Sequence, residues 1–264
     1  KFKGEMFKYS TASILFFIVS FILLIGYQQV GLSLLWLLIP IFLYIISLVF
    51  GSIFIGLNFY FKSLNKATTE NKEIAITFDD GPHPIVTEKL LQLLDNENVK
   101  ACFFLVGKNI EGNESIVKKM AEKGHMIGNH SFSHHTLVDL FSAQKISEEI
   151  ECTNLKIKEI SGNKPLFFRP PYGVTNPLIK KAIQQTEMVP VGWSLRSLDT
   201  INSSEKVLKK IKKKTKPGDV VLFHDTNEKI LEIMSEYSRW LKENDFKIVS
   251  LDKLFSIEIY ENAE

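Results

Sequence analysis

The sequence is poor in cysteine and carries almost no net charge. Its 264 residues include only two cysteines, Cys102 and Cys152. Two thiols do not make the disulfide framework of a small secreted domain, so we expect both to be buried free thiols. The 32 basic and 30 acidic residues leave a net charge of +2. No nucleic-acid-binding motif accompanies this balance, and we expect no nucleic-acid partner.

Charge is missing altogether from most of the first quarter of the chain. No charged residue occurs from Tyr9 to Phe61, where Ile, Leu, Phe and Val dominate. A membrane span needs ~20 apolar residues, so this stretch is long enough for two spans with a turn at residues 26–31. We therefore predict a membrane anchor over residues 1–65, with spans at about 10–27 and 32–57 embedded in a lipid bilayer. A signal peptide is the alternative for the first span, but no small-residue cleavage site follows it.

Four short blocks of polar residues occur in the rest of the chain. They are Thr-Phe-Asp-Asp-Gly-Pro at 77–82, His-Ser-Phe-Ser-His at 130–134, Arg-Pro-Pro-Tyr at 169–172 and Leu-Phe-His-Asp at 222–225. Each block alone has an ordinary structural interpretation, such as a capped turn or a rigid extended segment. Together they point to a single site, because each one follows a strand-like run of apolar residues.

Metal chemistry follows from the residue types in the first two blocks. His130 and His134 are four residues apart, a separation that lets one helical turn or a tight loop aim two imidazoles at one ion. Two histidines and one carboxylate leave coordination positions open, as in a catalytic site. The adjacent Asp79 and Asp80 supply that carboxylate and a second one that can accept a proton from water. The sequence thus indicates a mononuclear metal hydrolase.

The residues from 66 onwards alternate between strand-like and helix-like patterns. After a short polar linker at 66–72, we predict seven strands at 74–78, 101–106, 126–128, 166–168, 189–193, 220–223 and 248–249. Amphipathic stretches between them predict crossover helices and a parallel sheet. We expect an α/β fold, a distorted (β/α) barrel over residues 66–264. The polar blocks would then meet at the carboxyl ends of the strands, where such barrels build their sites.

The four blocks resemble those of the polysaccharide deacetylase family, also called the NodB-homology or carbohydrate esterase 4 family. The resemblance extends over about residues 73–255 and implies the same distorted barrel. It implies that Asp79 is the general base and that Asp80, His130 and His134 hold one divalent metal ion, Zn²⁺ with Co²⁺ or Ni²⁺ as alternatives.

The third and fourth blocks acquire roles through the same resemblance. Arg169 would pair with Asp79 and orient it, and the backbone N–H of Tyr172 would help to stabilise an oxyanion. Leu222 would form an apolar wall for the acetyl methyl group, and His224 would protonate the departing amine. The remaining substrate contacts implied are Pro171 and Trp193.

One stretch departs from the family pattern. Many members carry Asp-x-x-Asp-Trp after a Trp-containing strand, whereas here Arg196 replaces the first Asp and Thr200 the closing Trp. The second Asp is kept as Asp199, which would orient His224 and support its protonated form. We therefore expect an active enzyme with a substrate preference of its own.

The function expected from this resemblance is metal-dependent removal of N-acetyl groups from an amino-sugar glycan, peptidoglycan or chitooligosaccharide-like, with release of acetate. One alternative is a deformylase or O-deacetylase of a lipid-linked sugar. The other is a non-catalytic membrane protein that binds glycan. Nothing in the sequence predicts an oligomeric state.

The distribution of lysines and the family's substrates predict opposite orientations in the membrane. Lysines flank both ends of the apolar hairpin, which by the positive-inside rule places the catalytic domain in the cytoplasm. The family's substrates are glycans of the cell envelope, and on that ground we favour an extracytoplasmic domain. A lipid-linked sugar precursor on the cytoplasmic leaflet would reconcile an inward-facing domain with the same chemistry.

Two further groups of residues have no assigned role. A lysine-rich helix end could meet anionic glycan, lipid headgroups or water alone, and we favour a solvated face; it comprises Lys206, Lys209, Lys210, Lys212, Lys213, Lys214 and Lys216. Three other histidines are left outside the metal set, namely His83, His125 and His135.

Overall fold

The computed structural model describes residues 8–257. The predicted domain ends at 1–7 and 258–264 therefore lie outside the described residues. The apolar stretch forms two helices, α1 (Tyr9–Val30) and α2 (Leu38–Ile53), the latter preceded by a 3-10 turn at Leu34–Leu37. Two segments are long and apolar enough to cross a membrane: α1, with 22 residues, and the 3-10 turn together with α2 (Leu34–Ile53), with 20 residues. Only 6% and 11% of their apolar windows are buried.

The second helix ends earlier than the expected span. We predicted a span to about residue 57, but Phe54 leaves helical geometry with φ −107° and ψ 86°. A 3-10 turn at Ile55–Leu57 follows, and Asn58 ends it in the left-handed region with φ 52°. The polypeptide thereby turns from the apolar hairpin towards the barrel.

Within residues 8–257, the sheet of the α/β domain has eight strands in the order β5-β4-β3-β2-β1-β7-β6, with β8 also paired to β1. All the strand pairs are parallel, and the distorted (β/α) barrel is confirmed. The strands are β1 (Glu73–Asp79), β2 (Cys102–Leu105), β3 (Met126–Asn129), β4 (Phe167–Phe168), β5 (Val189–Pro190), β6 (Leu195–Arg196), β7 (Val220–His224) and β8 (Lys247–Ile248).

The expected set of seven strands was one short, because β6 is a two-residue strand that carries no visible alternation. The predicted strand at 189–193 is also shorter than expected: β5 ends at Pro190, and one further ladder bond follows, from the N–H of Val191 to the carbonyl of Phe168 at 2.9 Å.

Helices cover the outer face of the sheet, and the main core lies between the two layers. Phe78 of β1 stacks on Phe103 of β2 with ring centroids 5.0 Å apart, and Phe223 of β7 lies 5.9 Å from Phe78. The helices are α3 (Val86–Asn96), α4 (Glu114–Glu122), α5 (Ala143–Ser161), α6 (Pro177–Gln185), α7 (Ser204–Lys214), α8 (Lys229–Glu243) and α9 (Leu251–Phe255).

One expectation about the thiols was wrong. Cys102 lies in the central strand β2 and is buried, as predicted, whereas Cys152 is exposed. Cys152 occupies the outer face of α5, since the buried face of that helix is formed by residues such as Ile150, Asn154 and Ile157.

The segment that follows the apolar hairpin completes the barrel wall. Leu64 pairs in parallel with Val191, just after β5, and Lys66 pairs antiparallel with Asp219, just before β7. The Nζ of Lys66 lies 2.8 Å from Oδ1 of Asp219. The start of the predicted polar linker is therefore part of the barrel, because the space between β5 and β7 offers it unpaired backbone groups.

The carboxyl end of α2 is attached to the barrel at the edge where the strands end. Thr175, in the loop after β4, donates its backbone N–H to the carbonyl of Ser52 at 2.9 Å and its Oγ1 proton to that of Gly51 at 2.7 Å. At the same open end of the hairpin, the N–H of Tyr9 donates to the carbonyl of Phe59 in the segment that leads to the barrel, at 3.0 Å. The hairpin therefore contacts the barrel directly through the end of α2, while the start of α1 is bound to the connecting segment.

A glycine substitution tests whether the segment around Ala67 packs against the barrel wall. A Cβ at Gly218 would lie 2.1 Å from the backbone oxygen of Ala67, while a Cβ at Gly162 would meet nothing within 4 Å. Both residues have φ near +80°. We expect Gly162→Ala to lose ~1 kcal/mol of unfolding free energy from the left-handed conformation alone. Gly218→Ala should lose about 1–3 kcal/mol more because of the clash. Denaturant unfolding of both variants measures this, and equal losses would contradict a closed wall.

Candidate active site

The four polar blocks meet at one edge of the sheet. Asp79 and His224 are the last residues of the neighbouring strands β1 and β7 and are paired in register. Because the strands are parallel, the turns after them converge on the same edge. They surround a cavity of about 180 Å³. The predicted site residues that line it are Asp79, Asp80, His130, His134, Tyr172, Trp193, Leu222 and His224.

Arg169 lies fully buried behind this cavity. Its Nη1 donates to Oδ1 of Asp79 at 2.6 Å and to Oγ1 of Thr77 at 2.8 Å. Nη2 and Nε donate to the carbonyls of Gly192 and Val191 at 2.7 and 3.3 Å. The guanidinium also lies 4.1 Å from the centroid of the Phe104 ring. These contacts satisfy a buried cation and hold the Asp79 carboxylate in one orientation.

The environment of Asp79 favours proton uptake. Burial raises the pKa of Asp79, and the charges of Arg169 and His224 only partly oppose this effect. While Oδ1 is bound to Arg169, Oδ2 faces the metal-ligand group, 3.7 Å from Nε2 of His130. A carboxylate with one oxygen anchored and the other directed into the cavity can accept a proton there.

Asp80, His130 and His134 form a group that could hold a metal ion, since one ligand atom from each lies within 4.8 Å of the others. Oδ1 of Asp80 is 3.2 Å from Nε2 of His134 and 3.6 Å from Nε2 of His130. Asp80 reaches this position because it adopts a φ of 75° directly after the strand. The donors are two imidazole nitrogens and one carboxylate, which suits a divalent transition-metal ion such as zinc.

The protonation of His130 fits a metal ligand. Its Nδ1 is 2.6 Å from the carbonyl oxygen of Arg169, so Nδ1 carries the proton and Nε2 presents a lone pair to the cavity. Burial lowers the pKa of His130 to about 3. The imidazole is therefore neutral near pH 7, as metal coordination requires.

The loop that carries both histidines is held by residues outside the sequence blocks. Oε2 of Glu149, on α5, accepts hydrogen bonds from the backbone N–H of Phe132 at 3.1 Å and of Ser133 at 2.6 Å, and from Oγ of Ser133 at 2.8 Å. Oδ1 of Asn129 accepts the N–H of Ser131 at 2.8 Å. Glu149 could not be predicted from the sequence, because a glutamate in the middle of an amphipathic helix carries no local signal.

His224 faces the metal-ligand group from the opposite wall, with Nε2 4.0 Å from Oδ2 of Asp80. Nδ1 of His224 donates to Oδ1 of Asp199 at 3.0 Å, and its backbone N–H donates to Oδ2 at 2.9 Å. Oγ of Ser197 donates to the same carboxylate at 2.6 Å. The structure therefore brings Asp199 and His224 together, with Nε2 directed into the cavity.

The two groups of this pair shift each other's pKa. Burial alone would lower the pKa of His224, but the hydrogen bond to Asp199 and the charges of Asp199, Asp79 and Asp80 raise it. Burial likewise opposes the charged form of Asp199, yet its hydrogen bond with His224 brings the pKa of Asp199 below the usual value. An imidazolium at this position is a proton donor next to a carboxylate acceptor, Asp79.

Of the remaining predicted site residues, some line the cavity and others do not. Tyr172 adopts a φ of 59° in the turn Pro171–Gly173, and its ring centroid lies 4.6 Å from that of His134. Pro171 is buried within this turn and does not line the cavity. The two residues that depart from the family pattern, Arg196 and Thr200, both line it.

Asp225 is a buried neighbour of the site that the sequence analysis left without a role, although it ends the fourth block. Its Oδ2 accepts a hydrogen bond from Oγ1 of Thr87 at 2.6 Å, and burial raises the pKa of Asp225 to about 7. A Cβ at Gly81 would lie 2.3 Å from Oδ2 of Asp225. Asp225 therefore packs directly beneath the turn that carries Asp80.

The three histidines excluded from the metal set are involved in other contacts. Nδ1 of His135 accepts the N–H of Leu137 at 3.1 Å, and Nδ1 of His83 accepts that of Val86 at 3.1 Å. His125 is buried, and its Nδ1 accepts the N–H of Ala101 at 3.2 Å. Their rings support turns and a strand end.

Comparison with known proteins assigns the chain to a family. The family model described as polysaccharide deacetylase matches residues 66–191. A peptidoglycan-N-acetylglucosamine deacetylase of Bacillus cereus is 34% identical over 189 residues, which cover 69% of this chain and 68% of the relative. The chain belongs to the polysaccharide deacetylase family. The family assignment from the four polar blocks is thereby confirmed.

Two further proteins similar to this chain show how much of each sequence is matched. The peptidoglycan-N-acetylglucosamine deacetylase PgdA of Listeria monocytogenes is 34% identical over 191 residues, and the match covers 72% of this chain but only 40% of that protein. The crystal structure of the Bc1960 peptidoglycan N-acetylglucosamine deacetylase aligns with a TM-score of 0.70 at 31% identity. It covers 75% of this chain and 94% of that structure.

Neighbouring histidines provide a matched test of the metal group. We expect His134→Ala to weaken zinc binding at least about 100-fold, because it removes one of three ligand atoms. His135→Ala should leave zinc affinity within about twofold, since the His135 ring packs on Phe141 with centroids 5.2 Å apart. Zinc titration against a competing chelator measures both. Equal loss in the two variants would refute the assignment of His134.

Removal of the Asp199 charge tests the coupling to His224. In metal-free protein, Asp199→Asn should lower the pKa of His224, because the hydrogen bond and charge of Asp199 are what raise it against the effect of burial. Asp80→Asn should lower this pKa less, since the Asp80 carboxylate acts on His224 only by its charge. NMR titration of labelled histidine side chains measures both shifts. An unchanged value in Asp199→Asn would contradict the coupling.

Proposed function

We propose that this protein is a metal-dependent N-deacetylase that removes acetyl groups from an amino-sugar glycan, peptidoglycan or chitooligosaccharide-like, and releases acetate. One observation carries the proposal: a metal-ligand group shares its cavity with two proton carriers whose environments prepare them for opposite tasks. The relatives support the substrate class, since the B. cereus and L. monocytogenes proteins are named as peptidoglycan-N-acetylglucosamine deacetylases.

Asp80, His130 and His134 would hold the ion, Zn²⁺ with Co²⁺ or Ni²⁺ as alternatives. When bound, a divalent ion supplies polarisation of the acetamide carbonyl and acidification of a water molecule. Asp79 takes the proton from the attacking water on Oδ2, the oxygen that faces the cavity. Arg169 keeps Oδ1 occupied at 2.6 Å, so that the carboxylate cannot rotate away from the water.

The remaining residues act on the tetrahedral oxyanion and the leaving group. The backbone N–H of Tyr172 donates a hydrogen bond to the oxyanion, and the left-handed turn at φ 59° sets the direction of that N–H. His224 donates its Nε2 proton to the departing nitrogen, and Asp199 stabilises the imidazolium until the proton is transferred. The acetyl methyl group packs against Leu222. Trp193 and Pro171 shape the pocket around the sugar.

The two N-terminal helices are proposed to anchor this domain in a membrane as a two-span hairpin. The support is their composition and exposure: no charge occurs from Tyr9 to Phe61, and the side chains of Phe17, Phe21 and Phe42 are more than 60% exposed. Exposed phenylalanines on an uncharged helix pair match a hydrocarbon environment.

Substitution of the proposed base tests the mechanism. Asp79→Asn should lower kcat by about 10²–10⁴-fold, because the amide cannot take the proton from water. The readout is acetate release from N-acetylglucosamine oligomers and peptidoglycan fragments, with chelation and zinc restoration on the wild type. Asp245→Asn is a matched control, since the Asp245 side chain is 90% exposed.

The metal content of Asp79→Asn has to be measured in parallel. Near-normal turnover in this variant with its metal retained would show that Asp79 is not the base. Formate in place of acetate, with formylated sugars as substrate, would instead favour a deformylase.

A further inference from the structure

A second cavity of about 680 Å³ opens directly beside the proposed catalytic cavity. Three residues line both: Tyr172, Trp193 and Arg196. The two cavities therefore adjoin at these three side chains. The proposed catalytic cavity measures only about 180 Å³, which is below the ~300–1,000 Å³ of pockets for drug-sized ligands and suits one acylated sugar residue.

One wall of the second cavity is apolar and comes from the end of a candidate membrane span. Phe50 and Ile53 of α2 and the following Phe54 line it, and these side chains are 53%, 55% and 51% exposed. The carboxyl end of α2 reaches this place because Thr175 binds the carbonyls of Gly51 and Ser52. A wall of this kind matches a hydrocarbon chain.

Another part of the cavity lining is cationic. Arg196 at the end of β6 and Lys210 and Lys214 on α7 line it, and no carboxylate is among the residues that line the cavity. None of the three cations forms a salt bridge with an acidic side chain within residues 8–257. Nζ of Lys210 is bound to the carbonyl of Arg196 at 2.6 Å, which draws the two residues together. Burial, together with the charges of Lys214 and Arg196, lowers the pKa of Lys210.

Uncompensated cations held next to each other favour an anionic ligand. From the sequence, we expected the lysine-rich helix end to be a solvated face. Lys210 and Lys214 instead line the cavity that adjoins the proposed active site. Arg196, which replaces the usual family aspartate, adds a third positive charge at the point where the two cavities meet.

The loops around the catalytic edge expose further large apolar side chains. Ile85 follows β1, Leu137 and Leu140 follow β3, and Ile201 follows β6, with exposures of 56%, 53%, 72% and 75%. All these loops lie at the carboxyl edge of the parallel sheet, the edge to which the end of α2 is attached. An apolar rim on this side is expected if the opening of the site faces a lipid surface.

We propose that the second cavity binds the phosphate and the first part of the hydrocarbon chain of a lipid-linked amino sugar, which is presented to the catalytic group from the membrane surface. This substrate class rests on the proposed deacetylase function. The three parts of such a molecule match the three parts of the site in order: sugar in the small cavity, phosphate at Arg196, Lys210 and Lys214, and hydrocarbon along Phe50, Ile53 and Phe54. A soluble glycan would leave the cations and the apolar wall unused.

The test uses the full chain in nanodiscs of zwitterionic lipid, loaded with zinc. The substrates are polyprenyl-phosphate-linked N-acetylglucosamine, the same sugar on an uncharged polyprenyl chain, N-acetylglucosamine 1-phosphate, and soluble N-acetylglucosamine oligomers. We expect kcat/KM for the phosphate-linked lipid to exceed that for each of the other three at least about tenfold. Equal values for the soluble oligomers and the phosphate-linked lipid would overturn the proposal.

A matched pair of double variants on α7 isolates the phosphate contact. Lys210→Gln with Lys214→Gln should lower kcat/KM for the phosphate-linked lipid about tenfold, mainly through KM. Lys209→Gln with Lys213→Gln makes the same change of charge on the same helix away from the cavity, and should stay within twofold of the wild type. Equal effects of the two pairs would show only a general electrostatic attraction and would refute the site.

Binding separates this proposal from the deacetylase function itself. The affinity of the phosphate-linked lipid is measured on the Asp79→Asn protein, in which turnover is blocked, with and without the Lys210 and Lys214 changes. A loss of affinity of about tenfold with those changes supports the lipid-phosphate site even if no substrate releases acetate, in which case the deacetylase function fails. Acetate release without any such change in affinity would sustain the deacetylase and overturn the lipid-phosphate site.

Discussion

The ion pair between Arg169 and Asp79 is the constraint on which the site depends. Both groups are buried, and their side chains are 0% and 5% exposed. Breaking a buried pair by removal of one partner typically costs about 3–5 kcal/mol, because the other charge is left unpaired. The guanidinium also bonds to Thr77 of β1 and to two carbonyls after β5, while the Arg169 carbonyl accepts the Nδ1 proton of His130. One residue thus connects the proposed base, a proposed metal ligand and both sides of the barrel.

The two proposed proton carriers show how environment assigns roles to ordinary side chains. Asp79 and His224 end adjacent strands in register, so their backbones are equivalent. Asp79 is nonetheless bound to a cation and His224 to a carboxylate. Burial disfavours the charged form of each group, and the charged partner favours it. For Asp79 the effect of burial is larger than that of Arg169, whereas for His224 the effects of Asp199 and the other carboxylates are together larger than that of burial. The outcome is a carboxylate with a raised pKa beside an imidazole with a raised pKa, an arrangement that suits a base and an acid in one reaction.

The apolar hairpin and the barrel are more closely connected than a tethered anchor requires. Leu64 and Lys66 pair with the barrel wall, and Thr175 holds the end of α2 at the catalytic edge. Such contacts restrict how the domain can orient relative to a membrane that contains the hairpin. They also explain why residues of α2 and of α7, distant in sequence, line one cavity.

The fold class, the family and the residue types of the site could be predicted from the amino-acid pattern alone. The blocks at 77–82, 130–134, 169–172 and 222–225 could be found because catalytic residues follow strands, and strands show in the apolar pattern. The two-residue strand β6 and the early end of α2 at Ile53 escaped prediction, because short elements and helix ends depend on local backbone angles rather than on periodicity.

The distant groups that support the site could be identified only after the chain was seen folded. Glu149 holds the histidine loop and Lys210 contacts Arg196, yet neither residue stands in a recognisable motif. Their partners are set by how helices α5 and α7 pack on the sheet. The contacts of a side chain with residues distant in sequence depend on this packing, and packing cannot be predicted from any short stretch of sequence.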